Sequence, residues 1–122
     1  MQATNLEKEF EKVTEHFSPR VVAELNGQYL KIAKAKGEMV WHDHANEDEM
    51  FYIVKGEMEL HFRDRIVPLK EGDFIVVPKG VEHRPVAREE CWVALFEPKE
   101  TAHTGDVESG QTKSIEEQLQ GS

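Results

Sequence analysis

A single cysteine, Cys91, in a chain of 122 residues rules out an internal disulfide. It sits in the apolar run from Cys91 to Phe96, which reads as a buried, inert thiol with no catalytic role. Basic residues are also scarce. Fifteen Lys and Arg face 24 Asp and Glu, a formal charge of −9, which argues against nucleic acid or an anionic membrane as partner. No apolar run approaches the roughly 20 residues that a membrane span needs. The opening Met1-Gln2-Ala3-Thr4-Asn5 has neither the basic nor the apolar region of a secretory signal, so cytoplasmic residence is the expectation. Internal repeats and low-complexity blocks are missing too, and a 39% apolar fraction suffices for one core but not two. One site in one domain is expected.

What is present divides into three stretches. Leu6, Phe10, Val13 and Phe17 recur at helical spacing with Glu and Lys between them, so residues 1–18 are expected to hold an amphipathic helix packing on the domain. Ser18-Pro19 stops it, because proline restrains its predecessor and lacks the amide donor. Residues 19–100 read as short strands. Val21 to Leu25 and Gln28 to Ala33 flank Asn26-Gly27, which supplies the positive φ angles of a two-residue hairpin. Met39 to His44, Glu49 to Val54, Met58 to Phe62, Ile66 to Leu69, Phe74 to Val77 and Cys91 to Phe96 follow at close spacing, which favours a sandwich or barrel over βαβ units. Phe74 to Val77 and Cys91 to Phe96 are apolar on both parities and so need cover on both faces, from the helix or from a second subunit; a homodimer is the expectation. Residues 101–122 thin out in apolar content and read as a surface tail, in which Ile115 and Leu119 could form one docking turn.

Successive side chains of a strand point to opposite faces, so His42 and His44 of Trp41-His42-Asp43-His44 share one face and both imidazoles can reach one point. The acidic cluster Glu47, Asp48, Glu49 leads into Phe51-Tyr52-Ile53-Val54. If that segment returns antiparallel, a carboxylate near its start comes back beside the imidazoles. A second block, Gly72-Asp73-Phe74-Ile75-Val76-Val77-Pro78-Lys79-Gly80-Val81-Glu82-His83, is a strand ending in a Pro-x-Gly turn with a histidine just beyond.

These two blocks resemble the two cupin motifs, G-x5-H-x-H-x(3,4)-E-x6-G and G-x5-P-x-G-x2-H-x3-N. Gly37 stands one residue closer to His42 than the pattern, after which His44, Glu49 and Gly56 match. The second motif matches at Gly72, Pro78, Gly80 and His83, and departs at Ala87, where asparagine is usual. The resemblance implies an all-β fold, a double-stranded β-helix or jelly-roll barrel with a short N-terminal helix. It also implies that His42, His44, Glu49 and His83 point into the barrel mouth as ligands of one divalent transition metal: iron, manganese, nickel, zinc or copper. Glu47 is the rival to Glu49, but its distance to Gly56 breaks the motif. Phe96-Glu97-Pro98-Lys99 with Thr104-Gly105-Asp106 is similar to the ends of small cupins described as mannose-6-phosphate-isomerase-like, though the chain is too short for the helical parts of the larger isomerases.

Other polar residues have plainer readings. Asp43 and Glu82 adjoin ligands and could orient an imidazole, but the strand parity of Asp43 makes it a solvated carboxylate. His61 reads as a surface histidine, and His16 and His103 have no partners by spacing. Arg63-Asp64-Arg65 is a charged turn, and Arg84 and Arg88 a loop after His83. Trp41 faces away from His42, toward the helix or a subunit. Phe51, Ile53, Leu60 and Phe62 fill the barrel. The expected function is a metal-binding cupin acting on or sensing a small polar molecule, by dioxygenation, isomerisation or decarboxylation if it is an enzyme. The alternative is a non-catalytic binding or sensing module whose metal is structural or absent. Fold alone does not choose between them.

Overall fold

A computed structural model describes residues 1–105, 107 and 109–120; Asp106 of the closing motif lies outside the described residues. Two short helices, α1 (Leu6–Phe10) and α2 (Ile115–Gln120), flank seven strands. These are β1 (Arg20–Leu25), β2 (Gln28–Glu38), β3 (Glu49–Lys55), β4 (Glu57–Phe62), β5 (Ile66–Lys70), β6 (Phe74–Val77) and β7 (His83–Pro98). All the strand pairings are antiparallel. Asn26 and Gly27, with φ of 51° and 76°, make the expected hairpin turn between β1 and β2.

The 16-residue strand β7 is the spine. Along one edge it pairs with β2 from Glu38↔Val86 to Gln28↔Pro98. On its other edge it carries β4 near its start, through Phe62↔His83, and β3 near its end, through Phe51↔Leu95. One strand thus serves both halves, and the β4–β5 and β3–β6 pairs fold over a shared interior. Between Ala87 and Cys91 the register against β2 shifts, leaving Arg88, Glu89 and Glu90 as a bulge that bends the strand. The sequence had suggested a loop after His83. Those charged residues are where β7 bulges, not where it starts.

Phe51, Ile53, Leu60 and Phe62 lie in the interior with Met58, Leu69, Val77, Cys91, Val93 and Leu95. Burial pushes the Cys91 thiol up to about 11, so it stays protonated and inert. A smaller cluster of Phe10, Val13 and Ile32 sits on the outer face, where Phe10 stacks on Trp92 with ring centroids 4.6 Å apart. The N-terminal segment therefore covers one face of β7, which explains why Cys91 to Phe96 is apolar on both parities. Phe74 to Val77 is different: Val77 is buried, but Phe74 is 63% and Val76 51% exposed on edge strand β6, with no cover from the described residues.

Two further expectations are corrected. The helix expected from Leu6 to Phe17 ends at Phe10, and the hydrogen bonds that follow, Lys12 N to Glu9 O and Val13 N to Phe10 O, are three-residue ones. The chain leaves the helix because Phe17 N donates to Lys34 O at 2.8 Å on β2, while Val13 and Phe17 stay buried. The expected strand from Met39 to His44 is irregular, joined to β7 by a single bridge between His42 and His83. No helix among the described residues is long and apolar enough to cross a membrane.

Gly56, at φ 86° between β3 and β4, lies against the bulge: a Cβ there would stand 3.1 Å from Glu90 O. A left-handed conformation costs an L-residue about 1–2 kcal/mol, so Gly56→Ala should lower unfolding free energy by at least that in urea titration. An unchanged midpoint would contradict this account of the turn.

Candidate metal centre

Four polar side chains share the barrel interior. His42, His44, Glu49 and His83 are all buried, and one potential ligand atom from each lies within 4.8 Å of the other three. Backbone pairing brings them there. His42 N donates to His83 O at 3.0 Å and His83 N to His42 O at 2.9 Å, so the two histidines face each other across one antiparallel bridge. Glu49 opens β3 opposite Val77, the last residue of β6. The Pro78–Gly80 turn then docks on the other block: Gly80 N donates to His44 O at 2.8 Å, and Lys79 N to the Asp48 side chain at 2.9 Å. Asp48 therefore acts as a turn brace, and Glu49, not Glu47, joins the imidazoles.

The orientation of the rings is set by their backbones. His42 Nδ1 is 2.9 Å from Val40 O, and His83 Nδ1 is 2.8 Å from Val81 O. A carbonyl only accepts, so both Nδ1 atoms carry the proton and both Nε2 lone pairs are free. Both nitrogens of His44, Glu49 Oε1 and His83 Nε2 are buried without a well-formed hydrogen bond among the described residues. Glu49 Oε1 stands 3.4 Å from His44 Nε2 and 3.3 Å from His83 Nε2. Orphaned buried polar atoms converging on one point cost free energy, and a cation bound there would take up their lone pairs. Three imidazoles and a carboxylate suit a first-row divalent ion.

The electrostatics follow from this crowding. Burial pushes the His42 imidazole down to about 4, so it stays neutral. Burial also opposes charge on His44, but Glu49 beside it, with Glu47 and Asp43, outweighs that and raises its value above the ordinary 6.5. Burial would raise Glu49, yet contacts with Glu97, His44 and His83 hold it well below the usual carboxylate range.

Glu97 and Lys31 escaped the sequence reading. Burial and the Glu49 charge push Glu97 well above the usual range. On its far side Lys31 Nζ lies 2.8 Å from Glu97 Oε1, both side chains being at most 4% exposed, and Lys31 also donates to Gln118 of α2. A buried row thus runs from α2 through Lys31 and Glu97 to Glu49. Parity was the available signal, because Lys31 shares its strand face with the buried Tyr29 and Ala33, and Glu97 with Val93 and Leu95.

Most neighbouring polar residues are engaged elsewhere. Glu82 pairs with Arg63 at 2.6 Å, and Arg63 and Arg84 stack over Trp41 with 3.9 Å and 5.1 Å to its ring centre. Trp41 thus meets arginines, not the helix. Arg84 also reaches Glu38 at 3.4 Å from its place on β7. His16 has a partner after all in Glu90 at 2.9 Å, and His61 is only 15% exposed, beside Glu59 at 3.0 Å. The tail is not a free surface segment: Thr101, Thr104 and Gln118 are buried, and α2 docks through Gln118 while Leu119 stays exposed. His103 comes back to line the same cavity as His42 and Glu49, where burial pushes its imidazole down to about 4.

The family model for the cupin domain matches residues 29–97, more than half of the chain. The chain belongs to the cupin family. Among solved cupins, a cupin-2 domain containing protein from Shewanella frigidimarina is 44% identical at a TM-score of 0.76, the match covering 78% of this chain and 93% of that one. A Neisseria meningitidis protein is 30% identical at 0.74, covering 80% and 99%. In sequence, YdbB of Bacillus subtilis is 36% identical over 64 residues, 52% of this chain and 57% of that protein. A 3-hydroxyanthranilate 3,4-dioxygenase 2 of Aspergillus fumigatus is 34% identical over 74 residues, 54% of this chain and 38% of that protein. The chain spans about half the length of the curated relatives it matches, or less.

Leaving a buried polar group without its partner costs about 1–3 kcal/mol. Lys31→Met should therefore destabilise the metal-free protein by roughly that much in denaturant titration, because the buried Glu97 carboxyl loses its donor. Equal stability of parent and Lys31→Met would contradict the buried row.

Proposed function

We propose that the protein is a metal-dependent cupin acting on a small polar molecule, with His42, His44, Glu49 and His83 holding one divalent first-row ion. The observation that carries this reading is the convergence of buried, unsatisfied nitrogen and carboxylate atoms, two of whose imidazoles are already locked in the tautomer that coordinates. Four protein ligands leave one or two positions of a five- or six-coordinate ion for a ligand. A bound ion would supply Lewis-acid or oxygen-activating chemistry at such a position.

The chain's own residues frame that chemistry. His42 and His83 are oriented through Val40 O and Val81 O, Glu49 is braced from behind by Glu97, and an apolar wall that includes Phe17, Met39 and Phe51 excludes water. Dioxygenation is the reaction named for the Aspergillus relative, and of the three candidate reactions it has this support. The partly open cavity, however, is about 40 Å³, well below the ~150 Å³ of an apolar cavity that takes up benzene. With the tail in place the site suits a molecule of a few heavy atoms, and an aromatic acid would need the tail displaced. The deep burial of all four residues favours a second reading, a binding or sensing module with a closed structural metal. An exchangeable water on the ion would speak for the first reading and its lack for the second.

Elemental analysis of the isolated protein should find stoichiometric metal in the parent and lose it in His42→Ala. Affinity should also fall with acid, because only neutral imidazole coordinates. The raised value of His44 means that it takes up a competing proton more readily than an ordinary histidine as pH falls. A metal-free parent, or metal retained in His42→Ala, would contradict the assignment.

A further inference from the structure

The segment after β7 crosses the cavity and is tied down at several points. Gly105, at φ 58°, sits so close to the Asp43 backbone that a Cβ there would fall 1.9 Å from Asp43 O. Gln111 takes the Val40 amide on its Oε1 at 3.1 Å and donates through Nε2 to Glu38 O at 3.2 Å. Just before these anchors in the chain stands His103, which lines the cavity together with His42 and Glu49. Its Nδ1 accepts the Lys113 amide at 2.9 Å. A neutral imidazole whose Nδ1 accepts must carry its proton on Nε2. That Nε2 has no protein partner among the described residues. Such a nitrogen is a donor, with no lone pair to offer a metal.

We propose that His103 is a ligand-binding residue of the cavity, donating from Nε2 to an oxygen of a short carboxylate whose other oxygen occupies an open position on the ion at His42, His44, Glu49 and His83. The inference rests on the metal-site reading above and adds the class of ligand and the residue that recognises it. The chemistry of the walls agrees. Phe17, Met39, Phe51, Met58, Val93 and Leu95 supply an apolar lining for a short carbon chain. About 40 Å³ admits only a few heavy atoms. The ionisable side chains of the lining are His42, Glu49 and His103, and they are the partners the lining offers to the oxygen atoms of the ligand.

The test uses acetate as probe on full-length protein loaded with cobalt(II), read by the visible absorption of the ion. Acetate should shift the parent spectrum saturably. Losing one hydrogen bond to an anion should weaken acetate binding about tenfold in His103→Leu, while His103→Gln, which keeps an N–H donor, stays within about threefold of the parent. Cobalt affinity should be the same in all three. Equal acetate affinity in the parent and His103→Leu would overturn the proposal, as would a cobalt-loaded parent that ignores acetate. Loss of cobalt from His103→Leu would make His103 a metal ligand and would overturn it as well. A parent that binds no cobalt would instead sink the metal-site reading, and this inference with it.

Discussion

A carboxylate buried against three imidazoles sets the terms for the rest of the molecule. Glu49 is 6% exposed, has lost its water, and faces Glu97, another carboxylate almost as deeply buried. Two such groups cannot both carry uncompensated charge in a low-dielectric interior. The protein answers on one side with Lys31, and on the other with a ring of nitrogen lone pairs that only a cation can satisfy together. The site is thus half of a charge balance that extends through Glu97 and Lys31 to the docked helix α2. Its C-terminal segment belongs to the same arrangement.

Strand β7 makes this balance possible. Its first residue, His83, and its penultimate residue, Glu97, both belong to the site, and the bulge at Arg88–Glu90 bends the strand between them. β2 follows the bend and contributes Lys31, while β3 brings Glu49 in beside them. Charged residues at the bulge remain outside, so the interior stays apolar apart from the site and its buried row. The outer face of the same strand, through Trp92, holds the N-terminal segment.

Much of this was legible in sequence because it rests on local periodicity and spacing. Alternation located Phe51, Ile53, Leu60 and Phe62 in the core, Asn26-Gly27 marked its hairpin, and the two motifs brought out the four residues that the fold gathers. What was missed depends on long-range partners. Leu6 to Phe17 has helical spacing, but the competing bond from Phe17 to Lys34 O decides its second half. Met39 to His44 has strand composition, yet its ties across the chain are scattered, from Met39 N to Pro85 O and between His42 and His83. Lys31 and Glu97 look like ordinary surface charges until β2 and β7 are placed side by side. His103 lies in a segment with no apolar period, and its position comes from the close approach of Gly105 to Asp43, the bond of the Gln111 side chain to the Val40 amide and the Lys113 amide. Phe74 and Val76, which composition expected to be covered by the helix or a second subunit, are exposed among the described residues.

The central claim is that these side chains complete their coordination on one ion. X-ray absorption at the zinc edge of zinc(II)-loaded protein tests it most directly. The account predicts a first shell of nitrogen and oxygen at about 2.0–2.2 Å with outer-shell scattering from three imidazoles. Scattering from fewer than three imidazoles, or a sulfur shell near ~2.3 Å that would place Cys91 on the ion, would contradict it.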